Sequence, residues 1–293
     1  MTTTDHPQGL QLPFVDAAAI AAIDDPLRAV DALEAALADG LDAERDLAKQ
    51  ILPIAGGELL LMPTTATRHV AVKVLTVGGD PLIQGVCLVF DGATLAPAAL
   101  VDGPALTAVR TSAVSALAVR HLAIEQPRSL LVFGRGVQAH AHVRAVTAVR
   151  PSIEQVTLVG SDRSGVDVDA LVAAADVVCC CTTAREPVFD STRLPAHATV
   201  VAVGAHHLDA RETDAALVGR ATVVVESRAS ALREAGDVVL GIEAGALTIE
   251  DAITLGELVR GERRIDATRP RLFKSTGMAW EDAVVAASLA GVA

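Results

Sequence analysis

Tyrosine is missing from the 293-residue sequence, and one tryptophan and five phenylalanines are its only other aromatic residues. A reader of single-stranded nucleic acid stacks bases on such rings inside a basic groove. With 24 Lys+Arg against 36 Asp+Glu and a formal net charge of −12, the chain has neither feature, which excludes a nucleic-acid partner. Cysteine is scarce as well: Cys179, Cys180 and Cys181 are consecutive in an apolar run, and Cys87 stands alone in another. Adjacent cysteines neither bridge comfortably nor clamp a metal in Cys-x-x-Cys fashion. The four are therefore read as small buried apolar residues in a reducing compartment, with no disulfide framework and no metal site. No run reaches about 18 uninterrupted apolar residues, and Met1 to Asp5 lacks the charged-then-apolar pattern of a secretion signal. The expectation is a soluble cytoplasmic protein with no membrane partner.

What the sequence does have is apolar bulk, 51% of its residues, which is far too much for a disordered chain. Its length suits two domains or one large one. Asp25-Pro26 reads as a helix N-cap followed by proline at the first helical position, with Leu27, Val30, Leu33 and Leu37 at helical spacing and Gly40 as the stop. Strand-like runs follow at 58–62, 69–77, 85–90 and 98–101, separated by Gly-Gly, Gly-Gly-Asp and Asp-Gly turn signals. A helical period then covers 111–124.

After Gln126-Pro127 short, wholly apolar strands alternate with helices: strands at 129–133, 155–159, 177–181, 199–203 and 222–226, with helices at 137–149 and near 168–174. Such strands are buried on both faces, so the stretch from about Arg128 to about Ile265 is expected to be a doubly wound α/β domain with a parallel sheet. The tail from Met278 to Ala293 is helical and is expected to pack back on the first segment.

The first turn of that domain carries Gly134-Arg135-Gly136-Val137-Gln138-Ala139, a Gly-x-Gly-x-x-Ala between strand and helix. Gly134 permits the tight turn, Gly136 lets a pyrophosphate approach the backbone, and Ala139 allows close helix packing. The helix N-terminus supplies N–H groups for the phosphates, so a dinucleotide site is expected. The second strand ends Val159-Gly160-Ser161-Asp162-Arg163. Ser161 and Arg163 suit a ribose 2′-phosphate, whereas Asp162 suits a free ribose; NADPH is favoured slightly over NADH. Lys73 sits in an apolar strand, where it must snorkel out at an edge or meet a partner. Arg110 stands at the expected start of the 111–124 helix, a good place for an anion. His206 and His207 follow a strand at the carboxyl edge of the sheet, placed either for proton transfer or simply in an exposed loop.

These residues lie in stretches that resemble the ornithine cyclodeaminase and mu-crystallin family of nicotinamide-dependent enzymes. The similar stretches are Glu58 to Pro63, the strand of Lys73, Thr107 to Ala113, Gly134 to Ala139, Ala210 to Asp214, Glu234 to Asp237 and Phe273 to Ala279. The resemblance implies a substrate-binding and dimerisation domain of α+β type, residues 1–117 with 274–293, beside a Rossmann domain of residues 118–273, in a homodimer. It implies that Lys73 and Arg110 hold the substrate carboxylate next to the nicotinamide, with Met62 on the substrate side. Thr111, Val137, Gln138, Thr182, Gly204 and Gly277 would join the cofactor site. A third carboxylate contact, an arginine in such enzymes, is Lys49 here. Ornithine cyclodeaminases resemble one another in a Gly-x-Asp whose aspartate position is taken here by His206, which makes His206 the candidate proton donor or relay. The implied reaction is therefore reduction of a cyclic imino acid rather than deamination. Alternatives are ornithine cyclodeaminase proper, another amino-acid dehydrogenase of the fold, or a non-catalytic NADPH-dependent binding protein.

Overall fold

The computed structural model describes residues 11–23 and 25–292; Met1 to Asp5, read above for targeting, lie outside the described residues. The chain builds two sheets. In the first, β1 (Phe14–Val15), β2 (Gln50–Ile54), β3 (Gly57–Thr64), β4 (Val70–Val77), β5 (Ile83–Phe90) and β6 (Pro97–Asp102) lie in the order β1-β6-β5-β4-β3-β2. β2 to β6 form an antiparallel meander and β1 adds in parallel. In the second, β7 (Ser129–Phe133), β8 (Gln155–Val159), β9 (Val177–Cys180), β10 (Thr199–Ala202), β11 (Thr222–Val225), β12 (Ile253–Thr254) and β13 (Arg271–Lys274) lie in the order β12-β11-β13-β10-β9-β7-β8, all parallel. The expected doubly wound sheet with a second α+β unit is what forms. Its strand β13, which the sequence reading passed over, sits between β10 and β11.

Ten helices accompany the sheets among the described residues: α1 (Ala17–Ala22), α2 (Pro26–Ala38), α3 (Gly103–Leu122), α4 (Val137–Val149), α5 (Val168–Ala173), α6 (Ala215–Arg220), α7 (Arg228–Glu234), α8 (Gly236–Glu243), α9 (Leu255–Val259) and α10 (Ala279–Ala290). Among the described residues none is long and apolar enough to cross a membrane. Helix α2 starts as its Asp25-Pro26 signal predicts, with the Asp25 carboxylate accepting from Leu27 N, and buries Val30, Leu33 and Leu37. α10 packs back on α2, α3 and β4, so the chain returns to its first sheet at its end.

Helix α3 differs from the expectation in a way that matters for the site. The predicted start at Thr111 is eight residues late: the helix begins at Gly103, where Asp102 caps it through Ala105 N (2.8 Å) and Pro104 occupies the first turn. Arg110 therefore lies inside the helix rather than at its N-terminus, so the helix-end argument for anion binding there falls. The long helix is almost wholly buried and joins the two sheets, because its first half covers β5 and its second half packs on α4. Replacing Asp102 by alanine removes the cap, and an equilibrium urea titration is expected to show about 1 kcal/mol lost stability.

Candidate active site

The period-2 pattern of β4 places Ala71, Lys73 and Leu75 on the face covered by α3 and α10, with Met62 and Cys87 directly across from Lys73 on β3 and β5. Lys73 is 1% exposed, so of the two sequence alternatives it meets a partner: its Nζ donates to Asp282 Oδ1 at 2.8 Å and to Thr107 Oγ1 at 3.3 Å. Desolvation, then the Arg110 charge, pulls its pKa down to about 8, with Asp282 opposing the shift. Arg110, also buried, holds Glu281 Oε2 at 3.0 Å through Nη1 and lies 3.2 Å from Asp282 through Nε. Both acids come from the first turn of α10, an element the sequence reading treated only as a packing tail. Burial, followed by the charge of Glu226, drives the pKa of the Glu281 carboxyl well above the usual range, with Arg110 opposing the shift. Glu226 in turn accepts from Ser275 Oγ, Thr276 N and Gly277 N, which fixes the turn after β13. Gly277 takes φ +77° there, and a Cβ on it would fall 2.3 Å from Arg110 Nη1, so the glycine makes room for the guanidinium.

Ten of the residues singled out from the sequence line one cavity of about 340 Å³: Lys49, Met62, Lys73, Arg110, Thr111, Gln138, Thr182, Gly204, His206 and Gly277. Its floor is the apolar face of the first sheet, with Leu60, Leu75, Val77 and Ile83. The Lys49 ammonium, which also lines the cavity, pairs with Glu234 of α7 at 2.6 Å and donates to the Thr276 carbonyl. His206 stays exposed at the cavity rim, yet desolvation and the nearby Lys49 charge lower its pKa to about 4, leaving a neutral ring at pH 7. Its Nδ1 is 3.1 Å from the Gly204 carbonyl, which assigns the proton to Nδ1 and leaves Nε2 as an acceptor. Of the two roles expected for His206, donor or relay, a neutral ring with Nε2 unprotonated suits the relay.

The dinucleotide turn lies beside this cavity, where strand order reverses between β8 and β9 around β7. Gly134 has φ +118°, and a Cβ there would lie 2.5 Å from the Cys181 carbonyl; a Cβ on Gly136 would meet nothing within 4 Å. The first is needed for the turn and the second leaves open space over the N-terminus of α4, whose N–H groups have no side-chain cap and whose first residue, Val137, is 73% exposed. Thr111 Oγ1 and Gln138 Oε1 are buried without a hydrogen-bond partner among the described residues. An open anion cradle next to orphaned polar atoms fits a dinucleotide. At the end of β8, Ser161 and Asp162 are exposed, but Arg163 turns inward: its guanidinium donates to the Val188 carbonyl at 2.7 Å and lies 5.4 Å from the Phe133 ring centre. The Arg163 guanidinium is thus engaged by the protein itself rather than presented to the space beside Ser161.

A second charged network holds the loops around the cavity and was not assigned from the sequence. Glu212, fully buried, accepts from Thr182 N and Oγ1 with one oxygen and from Gly204 N with the other. Asp237 accepts from Glu212 N, Thr213 N and Thr213 Oγ1, and pairs at 2.8 Å with Lys274, which donates to the Ala205 carbonyl. The loops after β9, β10 and β13 are thereby tied to one another. The sequence signal was present, since Glu212, Asp237 and Lys274 each fall in a stretch that resembles the family, but their partners are set only by the fold. Asp237→Ala strands a buried ammonium and is expected to cost about 3–5 kcal/mol of stability in chemical denaturation, with Asp237→Asn costing less.

The sequence pattern of the Ornithine cyclodeaminase/mu-crystallin family matches residues 27–290. A Delta(1)-pyrroline-2-carboxylate reductase of Paracoccus denitrificans is 36% identical over 235 residues, 73% of this chain and 74% of that protein. The ketimine reductase mu-crystallin of Mus musculus is 36% identical over 220 residues, 70% and 68% of the two chains. Among solved structures, the Thermococcus litoralis Delta(1)-pyrroline-2-carboxylate reductase in complex with NADH and L-proline superposes with a TM-score of 0.86 at 25% identity, covering 96% of this chain and 97% of that one. The chain belongs to the ornithine cyclodeaminase/mu-crystallin family.

Proposed function

We propose that the protein reduces a cyclic imino acid, Δ1-pyrroline-2-carboxylate or Δ1-piperideine-2-carboxylate, to proline or pipecolate with NADH or NADPH. The observation that carries this reading is the convergence of Lys73 from β4 and Arg110 from α3 on one cavity beside the dinucleotide turn. The names of the relatives support it. A bound reduced nicotinamide supplies the hydride. The chain supplies the rest: Lys73 and Arg110 orient the substrate carboxylate, and Leu60, Met62 and Leu75 give the ring methylenes an apolar floor. The electrophile is the protonated imine, so no strong acid is required from the protein. His206, neutral and with Nε2 unprotonated, suits acceptance or relay of a proton but not its donation at neutral pH. Deamination would call for a carboxylate where His206 stands, and L-ornithine is expected to be inert.

The active form is proposed to be a homodimer. The outer face of the first sheet carries Leu61, Val72, Val74, Val86, Leu88 and Leu100, all only half-buried. One face of an antiparallel sheet normally meets water with polar residues; an apolar one calls for a cover, and a second copy is the occupant the family resemblance implies.

Four measurements test these proposals. NADH or NADPH oxidation with five- and six-membered cyclic imino acids is expected, with no ammonia from L-ornithine; release of ammonia would overturn the reading. Lys73→Ala is expected to lower kcat/KM by about 100-fold or more, since the carboxylate loses its orienting charge. Because Lys73 has a pKa lowered to about 8, its charge is present below that pH and lost above it, so affinity for a non-titrating carboxylate such as 2-furoate should fall as pH rises through 8. For the dimer, sedimentation should give twice the chain mass, and Val74→Lys should give the monomer.

A further inference from the structure

The adenosine end of the dinucleotide site holds a cation that the sequence reading did not single out. In doubly wound sheets the residue that closes the second strand carries the side chain reading the ribose. Here the first residue after β8 is Gly160, with no side chain to offer. The space is filled from the neighbouring turn: Arg135, between the two turn glycines, lies across Gly160, and a Cβ on Gly160 would sit 3.1 Å from its Nε and 3.2 Å from its Cδ. A Cβ at 160 would press on the arginine and oblige it to give by a few tenths of an ångström.

The guanidinium is also available. Arg135 is exposed; among the described residues it makes a long 3.4 Å approach to the Leu158 carbonyl and no ion pair, and its charge adds to the Ser164 hydrogen bonds in lowering the pKa of the exposed Asp162. Arg163 is committed to the Val188 carbonyl and the Phe133 ring. Beside Arg135 stand the exposed Ser161 and Asp162, and Asp162 already accepts from Ser164 N. We propose that Arg135, seated in the space left by Gly160, takes the ribose 2′-phosphate and makes NADPH the preferred cofactor. A guanidinium fork matches phosphate oxygens in a way a single ammonium does not, and the exposed Asp162 charge is screened by solvent and salt.

The inference rests on the nicotinamide reading above, so its test uses binding rather than turnover. Dissociation constants for NADPH and NADH come from nicotinamide fluorescence, and those for 2′,5′-ADP and 5′-AMP from calorimetry. The wild-type chain should prefer the phosphorylated member of each pair. Arg135→Ala should weaken NADPH and 2′,5′-ADP by about tenfold to 100-fold, the range of a charge-assisted hydrogen-bond pair, and leave NADH and 5′-AMP nearly unchanged. Gly160→Asp, which presses on the arginine and adds an acid, should reverse the preference, and Arg163→Ala should keep it. Equal weakening of all four ligands in Arg135→Ala would show an adenine contact instead and overturn the assignment. So would an unchanged NADPH to NADH ratio in that variant, or a wild-type preference for NADH. Binding of neither dinucleotide would overturn the nicotinamide reading itself.

Discussion

Two cations buried in an apolar sheet are the constraint on which this molecule is built. Lys73 and Arg110 are both under a tenth exposed, and an ammonium or guanidinium in such a place needs a fixed counter-charge. Asp282 and Glu281 provide it from the start of α10, 209 and 171 residues further along the chain. The chain must therefore cross to the second sheet, complete it with β13 and return, so that α10 can lie against β4 and α3. Trp280 N, donated to the buried Asp46 of the first segment, pins the same turn. The buried cations of the cavity and the closure of the fold are thus one interaction.

That dependence explains what the sequence showed and what it hid. Local signals were legible wherever geometry is local: the Asp25-Pro26 helix start, the strand of Lys73 and the Gly134-to-Ala139 turn lie where their periods and spacings place them. The late start assigned to α3 came from weighing hydrophobic period over capping chemistry, since Asp102-Gly103-Pro104 is a helix start in its own right. β13 was passed over because four residues flanked by loops carry little period, although it lies inside the sheet. The partners of Lys73 and Arg110 were hidden for a stronger reason. An ion pair between residues some 200 positions apart leaves no spacing to read, and Glu281 and Asp282 resemble ordinary acids in the first turn of a helix.

The distribution of charge follows from the same logic. A chain of net charge −12 does not draw anions by its overall field, so each cation that meets a ligand must be placed individually. Lys73 and Arg110 are placed by burial and pairing, and Arg135, in the proposed adenosine subsite, by the absence of a side chain at Gly160. The two devices differ in strength. Buried charges act in a poorly screened medium and orient a ligand closely, whereas an exposed arginine discriminates between ligands by smaller factors.

The pairing at the substrate end also bears on which ligand the cavity accepts. Lys73 and Arg110 already face Asp282 and Glu281, with Glu226 close by, before any ligand arrives. A bare carboxylate entering such a cluster brings a further negative charge towards those acids in a region of low dielectric, which is costly. A protonated cyclic imine with its carboxylate carries no net charge, so its carboxylate can share the cations while its iminium faces the acids. The arrangement of buried acids and cations therefore suits a zwitterionic imino acid better than a plain 2-keto acid.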